Sequence, residues 1–166
     1  MHRGVPSLLV ASLAFLTAGC AAVSAASTSS AGVCPAGQLS IAYWQPPVAA
    51  AGQLIGALRL VNHGPACAMT GYPGVSLVDR AGHQVAAAAS RQPARPETVA
   101  VPTGGEAFVE LRTESPETAP RCTPPASAIR VYPPGDTAAL LVPSSLRICG
   151  GVFTTGPVST TAPFPG

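Results

Sequence analysis

Between residues 34 and 159 apolar side chains alternate with polar ones and do not recur at helical spacing, the period of half-buried strands. In Glu106–Thr113, Ala107, Val109 and Leu111 fall on one side, while Glu106, Glu110 and Arg112 fall mostly on the other. One face of that strand is therefore wet. The same reading predicts strands over Gln38–Trp44, Leu54–Asn62, Val75–Asp79, Gln84–Ala88, Glu97–Val101, Ala128–Tyr132, Ala139–Val142 and Val152–Thr155. The chain's 19 prolines and 17 glycines punctuate these runs, as turn residues do between short strands. Asp79-Arg80-Ala81-Gly82 has the residues of a hairpin turn, with Gly82 free to take positive φ. The one segment where helix competes is the alanine run Ala86–Ala89. The fold class expected is all-β, an immunoglobulin-like antiparallel β-sandwich with two disulfides.

Outside that region the pattern changes. Arg3, the apolar run Leu8–Leu16 and the small residues Ala18 and Gly19 ahead of Cys20 form a basic start, a short apolar core and a processing site. The apolar run is too short to span a bilayer, so residues 1–19 are read as an export signal peptide. Cleavage before Cys20, with lipidation of its sulfur, is the preferred reading; cutting after Val23-Ser24-Ala25 would instead release a secreted protein. Residues 20–33 then form a flexible tether, reduced from Ala21 onward to Ala, Ser, Thr, Gly, Val. Residues 160–166, with Pro163 and Pro165, read as a flexible C-terminal tail.

Cysteine arithmetic bears on the same question. Five cysteines leave an exported protein with an odd thiol, and lipidating Cys20 removes it. Cys34, Cys67, Cys122 and Cys149 then make two bridges, for which three connectivities are open. Pairing Cys34 with Cys67 and Cys122 with Cys149 is expected, because each closes a stretch holding a hairpin or strand return. No Cys-x-x-Cys occurs, and His63 and His83 are not spaced as zinc ligands, so no metal or other cofactor is expected.

Charge narrows the partners. Only 10% of residues are charged and the net charge is +2, with nine basic residues, all Arg. That leaves no electrostatic footprint for nucleic acid. The implied membrane attachment is the lipid on Cys20.

Asn62-His63-Gly64, Cys67, Gly71-Tyr72-Pro73-Gly74-Val75-Ser76-Leu77-Val78-Asp79, Cys122, Val131-Tyr132-Pro133-Pro134-Gly135 and Cys149 together resemble an actinobacterial family of exported domains, domain of unknown function 4232. The resemblance covers about Cys34 to Val158. It implies a disulfide-bonded β-sandwich in the cell envelope, often on a lipoprotein, and implies no reaction, ligand or catalytic residue.

Aromatic residues sit directly at prolines: Tyr43-Trp44 before Gln45-Pro46-Pro47, Tyr72 before Pro73, and Tyr132 before Pro133-Pro134. Proline ends a strand's ladder, so these rings should mark strand ends. If the ends share a rim, Tyr43, Trp44, Tyr72 and Tyr132 form a binding surface for sugar rings or proline-rich peptides. The simpler expectations are that Trp44 plugs the core beneath a disulfide, and that Tyr72 covers a type II turn in which Gly74 takes positive φ. Catalytic motifs are missing: no Gly-x-Ser-x-Gly, no His-Glu-x-x-His and no lysine. A triad would need His63 or His83, Asp79 or Asp136, and a serine; Asp79 and His83 read better as turn chemistry. Glu110, Glu114 and Glu117 could supply carboxylates for glycoside chemistry, but Glu114 and Glu117 lie in a proline-flanked polar stretch, so a solvated loop is expected. The reading is a non-catalytic envelope module binding or scaffolding envelope proteins or cell-wall glycans. A cell-wall hydrolase or transferase, and a purely structural accessory of an envelope complex, are the alternatives.

Overall fold

The computed structural model describes Met1 and residues 31–164. The signal peptide, Cys20 and its lipidation, the tether up to residue 30, and Pro165 and Gly166 lie outside the described residues.

Among the described residues, ten strands follow a 3₁₀ turn at Ala36–Gln38: β1 Leu39–Ala50, β2 Gln53–Asn62, β3 Cys67–Thr70, β4 Gly74–Val78, β5 Ser90–Arg91, β6 Thr98–Val101, β7 Glu106–Glu114, β8 Ala128–Tyr132, β9 Leu140–Pro143 and β10 Phe153–Thr155. One layer is a five-stranded sheet in the order β1-β2-β7-β10-β5. The other is built from a three-stranded sheet, β4-β8-β9, and a two-stranded sheet, β3-β6. All pairings are antiparallel except β10 with β5. The protein is thus an all-β, two-layered sandwich, as the alternation predicted.

The layers close over one core because inward positions alternate along the strands. Strand β7 is the clearest case: Ala107, Val109, Leu111 and Thr113 are buried between partly exposed neighbours. Leu58 and Leu60 on β2 join them and meet Val75, Leu77, Ile129, Val131, Met69, Val99 and Val101 from the other layer. Burial of an apolar side chain of this size is worth about 1.5–3 kcal/mol, so this cluster carries the layer packing.

Both expected bridges form: Cys34–Cys67 ties the segment before β1 to β3, and Cys122–Cys149 joins the β7–β8 and β9–β10 connections. Neither is a central bridge between the two sheets, and Trp44 lies under neither.

Four local expectations are corrected. Strand β1 does not end at Trp44: it shifts register between Trp44 and Val48 and runs to Ala50, turning through Ala51 (φ 50°) and Gly52 (φ 77°). Positive φ at both turn residues suits a two-residue hairpin. The strand placed at Gln84–Ala88 is reduced to one bridge, Val78–Gln84, and regular pairing begins only at Ser90. Val85 and Ala89 still donate backbone hydrogen bonds to Leu77 and Val75, so the alanine run crosses beside β4 without an in-register ladder. Strand β3 was not expected, its four residues being too few to display a period. Finally, Gly71, not Gly74, takes positive φ (103°), and Gly74 opens β4.

The segment after β10 stays on the sheet. After β10, Phe108 and Ser159 exchange backbone hydrogen bonds of 2.8 and 2.9 Å, continuing along the edge of β7. Phe164 beyond them is buried.

Candidate functional site

Tyr43 and Trp44 are consecutive on β1 and therefore point to opposite faces of the five-stranded sheet. Tyr43 turns inward with Leu39 and Ile41 against the core. Its ring lies across Gly56, where an added Cβ would collide with the Tyr43 ring and hydroxyl. Burial pushes the Tyr43 hydroxyl up to about 12, so it stays neutral in the physiological range.

Trp44 faces outward, beside Ala42, and the C-terminal segment returns over this outer face to meet it. Phe164 sets its edge against the Trp44 ring, with centroids 5.9 Å apart and planes at 74°. Next to this pair opens a pocket of about 350 Å³, lined by Ala42, Tyr43, Trp44, Phe108, Ala162 and Phe164 with Arg59 and Glu106. Ala42 pairs with Arg59 and Arg59 with Phe108 across β1, β2 and β7, which aligns these side chains in one row. Arg59 donates a hydrogen bond to Glu106. That contact, more than simple attraction, holds the Glu106 carboxyl below the usual carboxylate range. The site therefore has aromatic walls and a charged rim, the composition of a small binding pocket.

The four aromatics do not form one platform. Trp44 lies on edge strand β1, while Tyr72 reaches the segment after β5 at the opposite edge of the same sheet. Four strand spacings put those edges about 19 Å apart. The Tyr72 hydroxyl donates to the carbonyls of Gln92 (2.9 Å) and Ala94 (2.5 Å), and the Arg91 guanidinium stacks 5.5 Å from its ring centroid. Tyr72 is a corner residue that fastens a loop. Tyr132 is exposed and lies over Gly74, its partner across β4 and β8.

Asn62, of the Asn-His-Gly motif, has no exposed surface. Its amide donates to Pro65, Val101 and Pro102 carbonyls, and its Oδ1 accepts from the Gly64 N–H. The motif thus joins the β2–β3 and β6–β7 turns.

Two histidines were weighed for catalysis. His63 Nε2 sits 2.7 Å from Ser40 Oγ on the exposed side of β1, and among the described residues no carboxylate meets its ring. Asp79 Oδ1 accepts from the Ala81 and His83 N–H groups, closing the predicted turn at Gly82 (φ 82°). Asp136 accepts from Ala36 and Ala138. Glu110 pairs with Arg112, and Glu117 accepts from Ser115; Glu114 ends β7 instead of lying in the loop. Among the described residues, no three His, Cys, Asp or Glu side chains are grouped to hold a metal.

Phe108, Phe164 and the Arg59–Glu106 pair were not singled out from the sequence. One signal was legible: Phe108 breaks the polar face of β7 between Glu106 and Glu110, and an aromatic at such a position asks for a cover.

These features define a disulfide-bonded β-sandwich domain with an aromatic pocket on its outer sheet face. A family model described as Domain of unknown function (DUF4232) matches residues 34–159, well over half the chain, and the protein belongs to that family. Searches of curated proteins and of solved structures each found no match.

Proposed function

We propose that this chain is an extracytoplasmic lipoprotein, anchored through Cys20, whose sandwich is a non-catalytic binding or scaffolding module of the cell envelope. The observation that carries the binding role is the Trp44–Phe164 pocket: apolar walls beside an Arg59–Glu106 rim, at the surface of an otherwise tightly alternating sheet. Two oxidised cysteine pairs suit a compartment outside the cytoplasm. Envelope proteins or cell-wall glycans are the partners such a compartment offers.

Three measurements test this. Mass analysis of the mature N-terminal peptide should find a lipid on Cys20, and Cys20→Ala should move the protein from the membrane to the soluble fraction. A photo-crosslinking amino acid at Ala42 should give discrete adducts in intact envelopes. An unmodified precursor in the cytosol, or a crosslinker that captures nothing, contradicts the proposal. The hydrolase reading has one supporting geometry, the Ser40–His63 contact; release of soluble fragments from isolated cell wall, lost in Ser40→Ala, would favour it.

A further inference from the structure

Trp44 is the chain's single tryptophan, and it sits on the side of β1 shared with exposed Ser40 and Ala42. A ring of that size on a wet face gains from being covered. The cover is the chain's own Ala162-Pro163-Phe164. Phe164 is only 6% exposed, whereas Trp44 remains half-buried with open pocket beside it.

How the segment is held matters more than that it is held. Its last backbone bonds to the sheet are those between Phe108 and Ser159, followed by the local Thr161 N–H to Ser159 Oγ contact. Among the described residues, no hydrogen bond fixes residues 162–164. Phe164 is therefore seated by packing alone, at the end of a short connector, and a contact of that kind opens at small free-energy cost. Its chemistry is also informative. Pro163 restricts the residue before it to extended backbone, so the segment delivers a ring from a stiff, donor-poor chain. The seat has shown what it accepts: an aromatic side chain directly after proline.

We infer that the outer face of the Trp44 ring, beside the open pocket, is a recognition site for an extended peptide segment of a partner protein bearing an aromatic residue after proline, and that Phe164, a wall of that pocket, covers this ring face in the free protein as an intramolecular competitor. This rests on the binding-module reading and supplies its ligand class. A short connector holds Phe164 at an effective concentration in the millimolar range. A segment in trans must displace it, and its apparent affinity falls by the fraction of time the site is occupied. The Arg59–Glu106 pair borders the site and leaves it without net charge, consistent with a neutral segment.

The test uses the full chain, with Trp44 fluorescence as a single-site reporter and the peptides acetyl-Thr-Ala-Pro-Phe-amide and acetyl-Thr-Ala-Pro-Ala-amide as probes. Phe164→Ala should red-shift Trp44 emission and raise its quenching by acrylamide. The Phe peptide should reverse both changes saturably, binding this variant about tenfold more tightly than the wild type; the Ala peptide should do nothing. Ala162→Arg, which unseats the segment but keeps the ring and the β10 ladder, should give the same gain. Unchanged Trp44 emission in both variants, or no saturable response to the Phe peptide, overturns the inference. So does a response to chitotriose without one to the peptide. Adducts at Ala42 in envelopes would then still stand for the module reading, so the two failures are distinct.

Discussion

The Asn62 side-chain amide donates to the carbonyl of Val101 at 3.1 Å, from a position with no solvent exposure. With its bonds to Pro65, Pro102 and Gly64, one side chain satisfies backbone groups in two turns that both cross between the five-stranded and two-stranded sheets. Removing it leaves buried polar groups unpaired, each costing about 1–3 kcal/mol. Asn62→Ala is expected to destabilise by about 3 kcal/mol in urea unfolding. Asn62→Asp should be worse at neutral pH, because it aims an anion at carbonyl oxygens; a neutral effect of either would remove the network from the account.

Tyr72 gives a graded series. Tyr72→Phe loses only the hydroxyl that fastens Gln92 and Ala94, about 1 kcal/mol. Tyr72→Ala also loses the ring and its Arg91 contact, and should cost about 2 kcal/mol or more. Thermal melts read both. A Tyr72→Ala protein with wild-type melting would mean the ring is displayed and not structural.

Gly56 is where Tyr43 needs empty space. Gly56→Ala places a methyl among Tyr43 ring atoms, and overpacking of this kind costs about 1–3 kcal/mol. Tyr43→Leu should relieve the clash, so the double variant is expected to be more stable than the two single costs added together.

The bridges close loops with sequence separations of 33 and 27. In the chain-entropy picture each is worth about 3.5 kcal/mol. Replacing either pair by alanine should lower the unfolding free energy by about that amount. Cys122 is partly exposed whereas Cys34, Cys67 and Cys149 are buried, so limited reduction and alkylation should label Cys122 and Cys149 before Cys34 and Cys67. The opposite order would contradict the burial argument.

Acid sensitivity has named sources. The Asp136 carboxyl is held below its ordinary range by the Ala138 and Ala36 N–H groups, Asp79 by that of His83, and Glu106 by Arg59. A depressed folded-state value means the ionised form is favoured in the fold. Its contribution is complete above the ordinary carboxylate range and disappears as pH falls through the depressed values. Melting temperature should therefore be flat from pH 7 down to about 5 and fall below about 4. Asp136→Asn should be less stable than wild type at neutral pH and converge with it in acid. A gap independent of pH would exclude Asp136 as a source.

Features that depend on period and composition are legible along the chain. The two-residue alternation in β7 set which face is buried, the Asp79–Gly82 residues set a turn, and the cysteines left three connectivities open, of which the expected pairing of sequence neighbours is the one that forms. These are local signals, legible because a strand's side chains alternate whatever lies across from them. The tertiary structure decided what depends on distant partners. It parted Tyr72 from Trp44 by the width of a sheet, gave Asn62 carbonyls 39 and 40 residues away, and brought Phe164 back over Trp44. Short elements such as Cys67–Thr70 also escaped, since four residues hold no period and become a strand only because Thr98–Val101 pairs with them. A polar or aromatic side chain finds its role from its neighbours in space, and those are set by strand order, which alternation along one strand does not encode.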